Sequence, residues 1–306
     1  MQPGLNARPK KGFHVVPRLS LAGRLNIETR DARPSDKEPL MDFIRNVWGG
    51  HDYIPYVWDS WIRDRAAKLF VVEVDGKPVG MSRMRILPDG MAWLEGARVH
   101  PDYRRRGLAS LLARHSMEVG KRAGIKAYRL SSSSYNRAAH AQVKKMGFRE
   151  VTRISVYESP SKANYSPLKS VWRADKMESQ KVQPVVERSP EYRLGAGVYW
   201  DDFSAVSLTA RIIDGLIREE SVFLTEGGVA VARIGGEGGE IWRQVCFVTG
   251  TPEATVRLVE HVFGTRERAR AHRRLIYLPQ GSRVIREMRE LGLKRTWPLV
   301  LFEKIA

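Results

Sequence analysis

Between residues 69 and 157 the apolar side chains change their period, and this restricts the fold more than any other feature of the chain. Residues 69–74 form an apolar run turned by Asp75-Gly76-Lys77, and residues 79–86 continue it, the pattern of a hairpin. Pro88-Asp89-Gly90 marks another turn before a strand over 91–99. From there helix and strand alternate. Residues 108–123 predict a helix closed by Gly124, 126–130 a strand, 137–146 a helix closed by Gly147, and 153–157 a further strand. Upstream, 25–30 alternate as a strand does. Pro34-Ser35-Asp36 then opens a helix carrying Leu40, Phe43, Ile44 and Val47, which Gly49-Gly50 ends. A meander followed by helix–strand–helix–strand predicts a mixed α/β sheet with helices on both faces.

The second half repeats this grammar. Strands over 222–224 and 229–234 flank Gly227-Gly228, and 241–248 read as a strand. A helix over 252–263, a strand over 275–278, a helix over 283–291 and a strand over 299–303 follow. Met146-Gly147-Phe148-Arg149 is echoed by Leu291-Gly292-Leu293-Lys294, each closing a helix before a strand. We therefore expect a flexible basic tail over 1–24, a first domain over 25–158, a Ser-, Pro- and charge-rich linker over 159–190, and a second domain of the same element order over 191–306.

Composition excludes several classes. With 42% apolar and 28% charged residues the chain has a globular balance. No stretch approaches the ~20 apolar residues of a membrane helix, and residues 1–24 lack the apolar core of a secretory signal. Cys246 is the single cysteine, so no internal disulfide is possible and a reducing, cytoplasmic compartment is expected. No His/Cys cluster has metal-ligand spacing, so no metal is expected. The net charge of +18 invites an anionic partner, with local peaks at 104–106 and 266–274. Without a helix-turn-helix, zinc-finger or RNA-binding signature, nucleic acid is not the expected primary partner.

Between the strand at 91–99 and the helix at 108–123 lies Arg104-Arg105-Arg106-Gly107-Leu108-Ala109. Small residues at its fourth and sixth positions let backbone N–H groups converge at a helix start, where the dipole and three guanidiniums favour a pyrophosphate. The plain alternative is a basic helix start whose glycine serves only a turn.

The context favours the first reading. Asn136-Arg137-Ala138-Ala139 opens a later helix that closes at Gly147-Phe148. Arg104, Gly107 and Ala109, with Asn136, Ala139, Gly147 and Phe148, resemble the two motifs of the GNAT superfamily of N-acetyltransferases. The resemblance covers about residues 25–158 and implies a mostly antiparallel central sheet, acetyl-coenzyme A as cosubstrate, and an amine acceptor, either a small molecule or a peptide. It further implies that backbone groups near Ala97 and Val99 meet the acetyl carbonyl and pantetheine, that loop 104–109 holds the pyrophosphate, and that Asn136 contacts the pantetheine. The second half, with Thr249-Gly250-Thr251-Pro252-Glu253-Ala254 where the loop would fall, reads as a degenerate GNAT-like copy in a tandem pair.

An ammonium has no lone pair, so attack on a thioester calls for a base. Glu95 is the candidate: by period two, Trp93, Glu95, Ala97 and Val99 share one face. The alternative is a salt bridge to Arg83, Arg85 or Arg98. The tyrosine that many family members carry four residues before the Gly of Gly-Phe is Val143 here, leaving Tyr135 and His140 as candidate acids. Trp48 to Trp61 contains Gly-Gly-His-Asp-Tyr-Ile-Pro and resembles the corresponding segment of vertebrate histidine N-acetyltransferases. On that resemblance Asp52, Tyr53, Trp58 and Trp61 are candidate acceptor contacts, with core packing the alternative for Trp58 and Trp61. Histidine, another amino acid, a polyamine and a protein N-terminus all stay open as acceptors. The rival class is a non-catalytic acyl-CoA-binding or nucleic-acid-associated regulator.

Overall fold

The computed structural model describes residues 25–237, 240–265 and 273–306. The tail over 1–24 and most of the basic peak at 266–274 lie outside these. The chain divides into two compact units, one ending at Leu130 and rejoined by Lys304–Ala306, the other running from Ser131 to Glu303.

The first unit holds β1 (Ile27–Asp31), α1 (Lys37–Ile44), α2 (Ile54–Trp61), β2 (Ala67–Val74), β3 (Lys77–Ile86), β4 (Ala92–Val99), α3 (Leu108–Arg122) and the start of β5 (Ala127–Ser133). The sheet runs β1-β2-β3-β4-β5, antiparallel from β1 to β4, with β5 parallel to β4. Alternation along β2 divides the core. Leu69 and Val71 pack under Leu40, Ile44, Ile54 and Trp58 of α1 and α2, whereas Phe70 meets the His115 ring of α3. Helices therefore cover both faces.

In the second unit lie α4 (Arg137–Lys145), β6 (Arg149–Glu158), β7 (Trp172–Arg173), α5 (Ser179–Arg188), α6 (Pro190–Leu194), β8 (Val198–Asp201), β9 (Ser204–Ser207) and α7 (Ala210–Arg218). They are followed by β10 (Val222–Thr225), β11 (Gly228–Glu237), β12 (Glu240–Gly250), α8 (Pro252–Gly264), β13 (Arg273–Pro279), α9 (Val284–Glu290) and β14 (Lys294–Ile305). The strand order is β14-β6-β13-β12-β11-β10-β7, antiparallel except for β12 beside β13, with β8–β9 a separate hairpin. Leu258, Val259 and Val262 of α8 and Met288 of α9 pack against Val245, Val248, Ile276 and Leu278.

Two boundaries differ from the sequence reading. Residues 149–158 follow the first-half motifs in sequence, yet β6 forms its ladders with β13 and β14, so α4 and β6 belong to the second compact unit. Residues 159–190, expected to be mainly linker, include β7 and α5, and α5 buries Val182 and Val186. These two valines lie one turn apart, but Pro184 and the surrounding polar residues hide the period. Among the described residues no helix is long and apolar enough to cross a membrane.

Candidate active site

Strand β4 carries a bulge. Arg83 pairs with Glu95 and Met81 with Arg98, so Gly96 and Ala97 together oppose Ser82. Gly96 adopts φ +66°, and a Cβ there would sit 2.6 Å from the Trp61 ring. Only glycine allows both the backbone conformation and the close approach. The bulge also overturns one expectation. Cross-strand partners share a face, so Arg98, not Ala97 or Val99, lies on the same side as Trp93 and Glu95. A glycine inside a strand pattern was the available signal.

On its other edge β4 pairs with β5 only at Ala92↔Tyr128 and Trp93↔Arg129. Beyond Trp93 the ladder ends and the two strands no longer pair. At this open end the carbonyls of Ala97 and Val99 accept hydrogen bonds from Arg98 Nη1 at 3.1 Å and Arg104 Nε at 3.2 Å.

The loop leading into α3 is built from short-range contacts. His100 Nδ1 accepts from the Asp102 N–H, and a single turn over Pro101–Tyr103 brings the chain to Arg104. Arg105 (φ +63°) and Gly107 (φ +81°) are both left-handed, and Gly107 occupies the N-cap of α3 without a side-chain cap. The first N–H groups of a helix have no intrahelical acceptor, and here no capping side chain meets them. Leu108 anchors the helix in the core and Ala109 is half-buried, while Arg104, Arg105 and Arg106 are exposed. The Arg106 guanidinium lies 5.4 Å from the Tyr103 ring centroid. Left-handed turns, open helix N–H groups and three cations give this loop the chemistry to attract an anionic group.

The aromatic segment is held on the sheet by two ion pairs. Asp52, 2% exposed, receives Arg98 Nε at 2.6 Å and Nη2 at 3.1 Å, and also caps the Ile54 N–H. Expected as an acceptor contact, this carboxylate is taken up by the guanidinium. Twelve residues on, Asp64 receives Arg83. Trp58 is 1% exposed and packs in one core cluster with Leu40 and Ile44, which favours the core-packing alternative over a pocket wall. Trp61 is also buried; it carries the Arg83 guanidinium at 4.6 Å and meets Tyr53 edge-on at 5.9 Å. Tyr53 is half-buried beside Arg98. Asp59 pairs with Lys37.

Glu95 lies among these groups. Its Oε1 accepts from Arg83 Nη1 at 2.6 Å and lies 3.2 Å from Arg85 Nε. Sequence reasoning named both arginines as salt-bridge partners; Asp64, the far partner of Arg83, it missed, because nothing local marks that residue.

Tyr135 and Asn136 belong to the second compact unit. Asn136 caps α4, its Oδ1 accepting from the Ala139 N–H at 3.1 Å. Tyr135 is 75% exposed. His140 Nε2 lies 3.0 Å from the Ser133 carbonyl, and Val143 and Phe148 are buried. Among the described residues no three His, Cys, Asp or Glu gather as a metal site.

Comparison with known proteins agrees with this architecture. Residues 34–148 match the acetyltransferase (GNAT) family. Histidine N-acetyltransferase of Oreochromis niloticus is 31% identical over 104 residues, covering 34% of this chain and 30% of that protein. The human protein named probable N-acetyltransferase 16 is 28% identical over 136 residues, covering 42% of this chain and 37% of its own. The matched stretches thus span well under half of these curated relatives. A GCN5-related N-acetyltransferase from Sphaerobacter thermophilus superposes with a TM-score of 0.60 at 14% identity, over 91% of this chain and 95% of its own, a likeness of fold. Over residues 34–148, under half of its length, the chain therefore resembles the acetyltransferase (GNAT) family. Over about a third of its length it also resembles histidine N-acetyltransferases.

Proposed function

We propose that the chain is an acetyl-CoA-dependent N-acetyltransferase acting on a primary amine, with a free amino acid such as histidine as the leading acceptor. The observation that carries this reading is the shortened β4–β5 ladder running directly into the Gly107-capped, guanidinium-rich start of α3. Acetyl-CoA supplies the thioester. Arg104, Arg105, Arg106 and the N–H groups from Gly107 to Ala109 would take its pyrophosphate, and the backbone of Ala97 to Val99 its acetyl and pantetheine groups.

In this reading Glu95 accepts a proton from the acceptor ammonium, the amine forms a C–N bond at the thioester carbonyl, and the C–S bond breaks. A CoA thiolate is a tolerable leaving group and takes up the second proton that the acylated nitrogen sheds. Tyr53 and Trp61 form the aromatic side of the acceptor region, with Asp52 holding Arg98 in place beneath it. Residues 25–158 carry the motifs, and 191–306 act as a degenerate copy. Val143 at the position of the family tyrosine favours the rival reading, a CoA-binding protein that does no chemistry. Thiol release measured over a panel of histidine, other amino acids, polyamines and peptides tests the proposal. We expect release with at least one small amine, lost in Glu95→Gln at neutral pH with CoA affinity retained. CoA binding without release on any amine would favour the rival.

A further inference from the structure

Arg83 occupies an unusual place for a strand residue. It is 8% exposed, its guanidinium rests on the Trp61 ring, Nη1 donates to Glu95 at 2.6 Å, and Nη2 donates to Asp64 just past α2. One planar fork thus joins three things: a carboxylate on β4, the C-terminal end of the aromatic segment, and a ring of that segment. Both cationic contacts to Glu95 fall on Oε1, from Arg83 and from Arg85.

Resting on the transferase reading above, we propose that Arg83 is a positioning residue for the reaction. It anchors Glu95 through Oε1 so that Oε2 is the atom that takes the proton, and through Asp64 it couples the placement of α2 to the placement of that base. Two further features of the fold make this coupling stiff. Gly96 lets Trp61 lie directly on the bulge beside Glu95, and the Arg98–Asp52 pair fixes the other end of the segment. A burial this deep is tolerable for a guanidinium only because two carboxylates and a ring face receive it.

The charged groups facing Glu95 are Arg83 and Arg85 from β3, Asp64 after α2, and the Arg98–Asp52 pair beyond the bulge. Removing one of the two adjacent cations makes a carboxylate easier to protonate, so the acidic limb of activity must move to higher pH.

The test is the pH dependence of kcat/KM for the acceptor in the full chain, beside CoA affinity and melting temperature. With Arg83→Gln we expect the acidic limb to rise by about one pH unit, roughly a tenfold loss on that limb that is recovered at alkaline pH. Arg83→Lys keeps a charge but not the fork. It should hold the limb near its wild-type position and raise the acceptor KM. Asp64→Asn releases only α2 and should raise the same KM without an upward shift of the limb. CoA affinity should stay within about twofold in all three. A limb that stays put in Arg83→Gln while activity falls equally at every pH would overturn the inference and leave the transferase reading standing. Should Arg83→Gln fail to fold, an unchanged acceptor KM in both Arg83→Lys and Asp64→Asn overturns it instead. A wild-type chain that acetylates no amine removes the transferase reading, and this inference with it.

Discussion

Strands β4 and β12 are the same backbone device put to different ends. Each is bulged against its antiparallel neighbour, each has a parallel neighbour whose ladder stops partway, and each leads to a helix. After β4 the chain makes a loop of left-handed turns and exposed arginines before α3. After β12 it makes none: Thr251 caps α8 directly, Oγ1 accepting from the Ala254 N–H at 3.2 Å, and Glu253 sits in the first turn. The end of β12 is also occupied from within. Glu191 of α6, 4% exposed, accepts from Thr249 at 2.8 Å and from Ser282, just before α9, at 3.2 Å. One splay ends in a cationic loop and the other receives a buried carboxylate, which would repel any phosphate. A strand arrangement shared in outline therefore says little about whether a site is shared; the few residues after the strand decide.

Gly107→Asp is the sharpest way to break this contrast. It puts a carboxylate and a Cβ into a left-handed N-cap, and should abolish CoA binding. Titration calorimetry on the intact chain should show one site per chain before the change and none after. Two sites in the wild type, or binding that survives, would end the asymmetry.

Next in size is Trp58→Ala. A core tryptophan at 1% exposure should cost about 3–5 kcal/mol of stability. Chemical denaturation should show this, with both ligands weakened together. Glu191→Ala comes third. It leaves the Thr249 and Ser282 hydroxyls without their buried acceptor, about 1–3 kcal/mol. CoA affinity should not follow, because the loop at 104–109 stands elsewhere. Smaller again, Tyr53→Ala should weaken the acceptor by about 1 kcal/mol, roughly fivefold, with little change in melting temperature.

The smallest effect compares α3 with α8, since each helix carries a half-buried histidine. Burial pushes the imidazoles of His115 and His261 below their ordinary value of 6.5. The unfolded chain then binds more protons than the folded one just below that value, so stability is present above pH 6.5 and falls as pH drops through the depressed folded pKa. Melting temperature should decline over that range, less steeply in His115→Gln and in His261→Gln. If neither variant flattens the curve, other groups carry the acid sensitivity.

Much of this molecule was legible in its sequence, because much of it depends on neighbours along the chain. Asp75-Gly76 turns a hairpin, Gly107 can be left-handed, and Asn136 caps a helix whatever lies around them. The order of elements and the left-handed glycine before α3 follow from such local chemistry. What tertiary structure alone decided depends on partners far apart in sequence. The bulge at Gly96 reverses which β4 residues share a face, and Trp61, 35 positions earlier, lies so close to that backbone that only glycine fits. Asp52 reads as a free carboxylate until Arg98 reaches it, and Trp58 as a pocket wall until α1 covers it. Nothing near Glu191 in sequence announces that it meets Thr249 and Ser282. Periodicity fixes which elements form; which charges are spent on one another is settled only when those elements pack, because burying a charge is tolerable only where its partner has been brought to it.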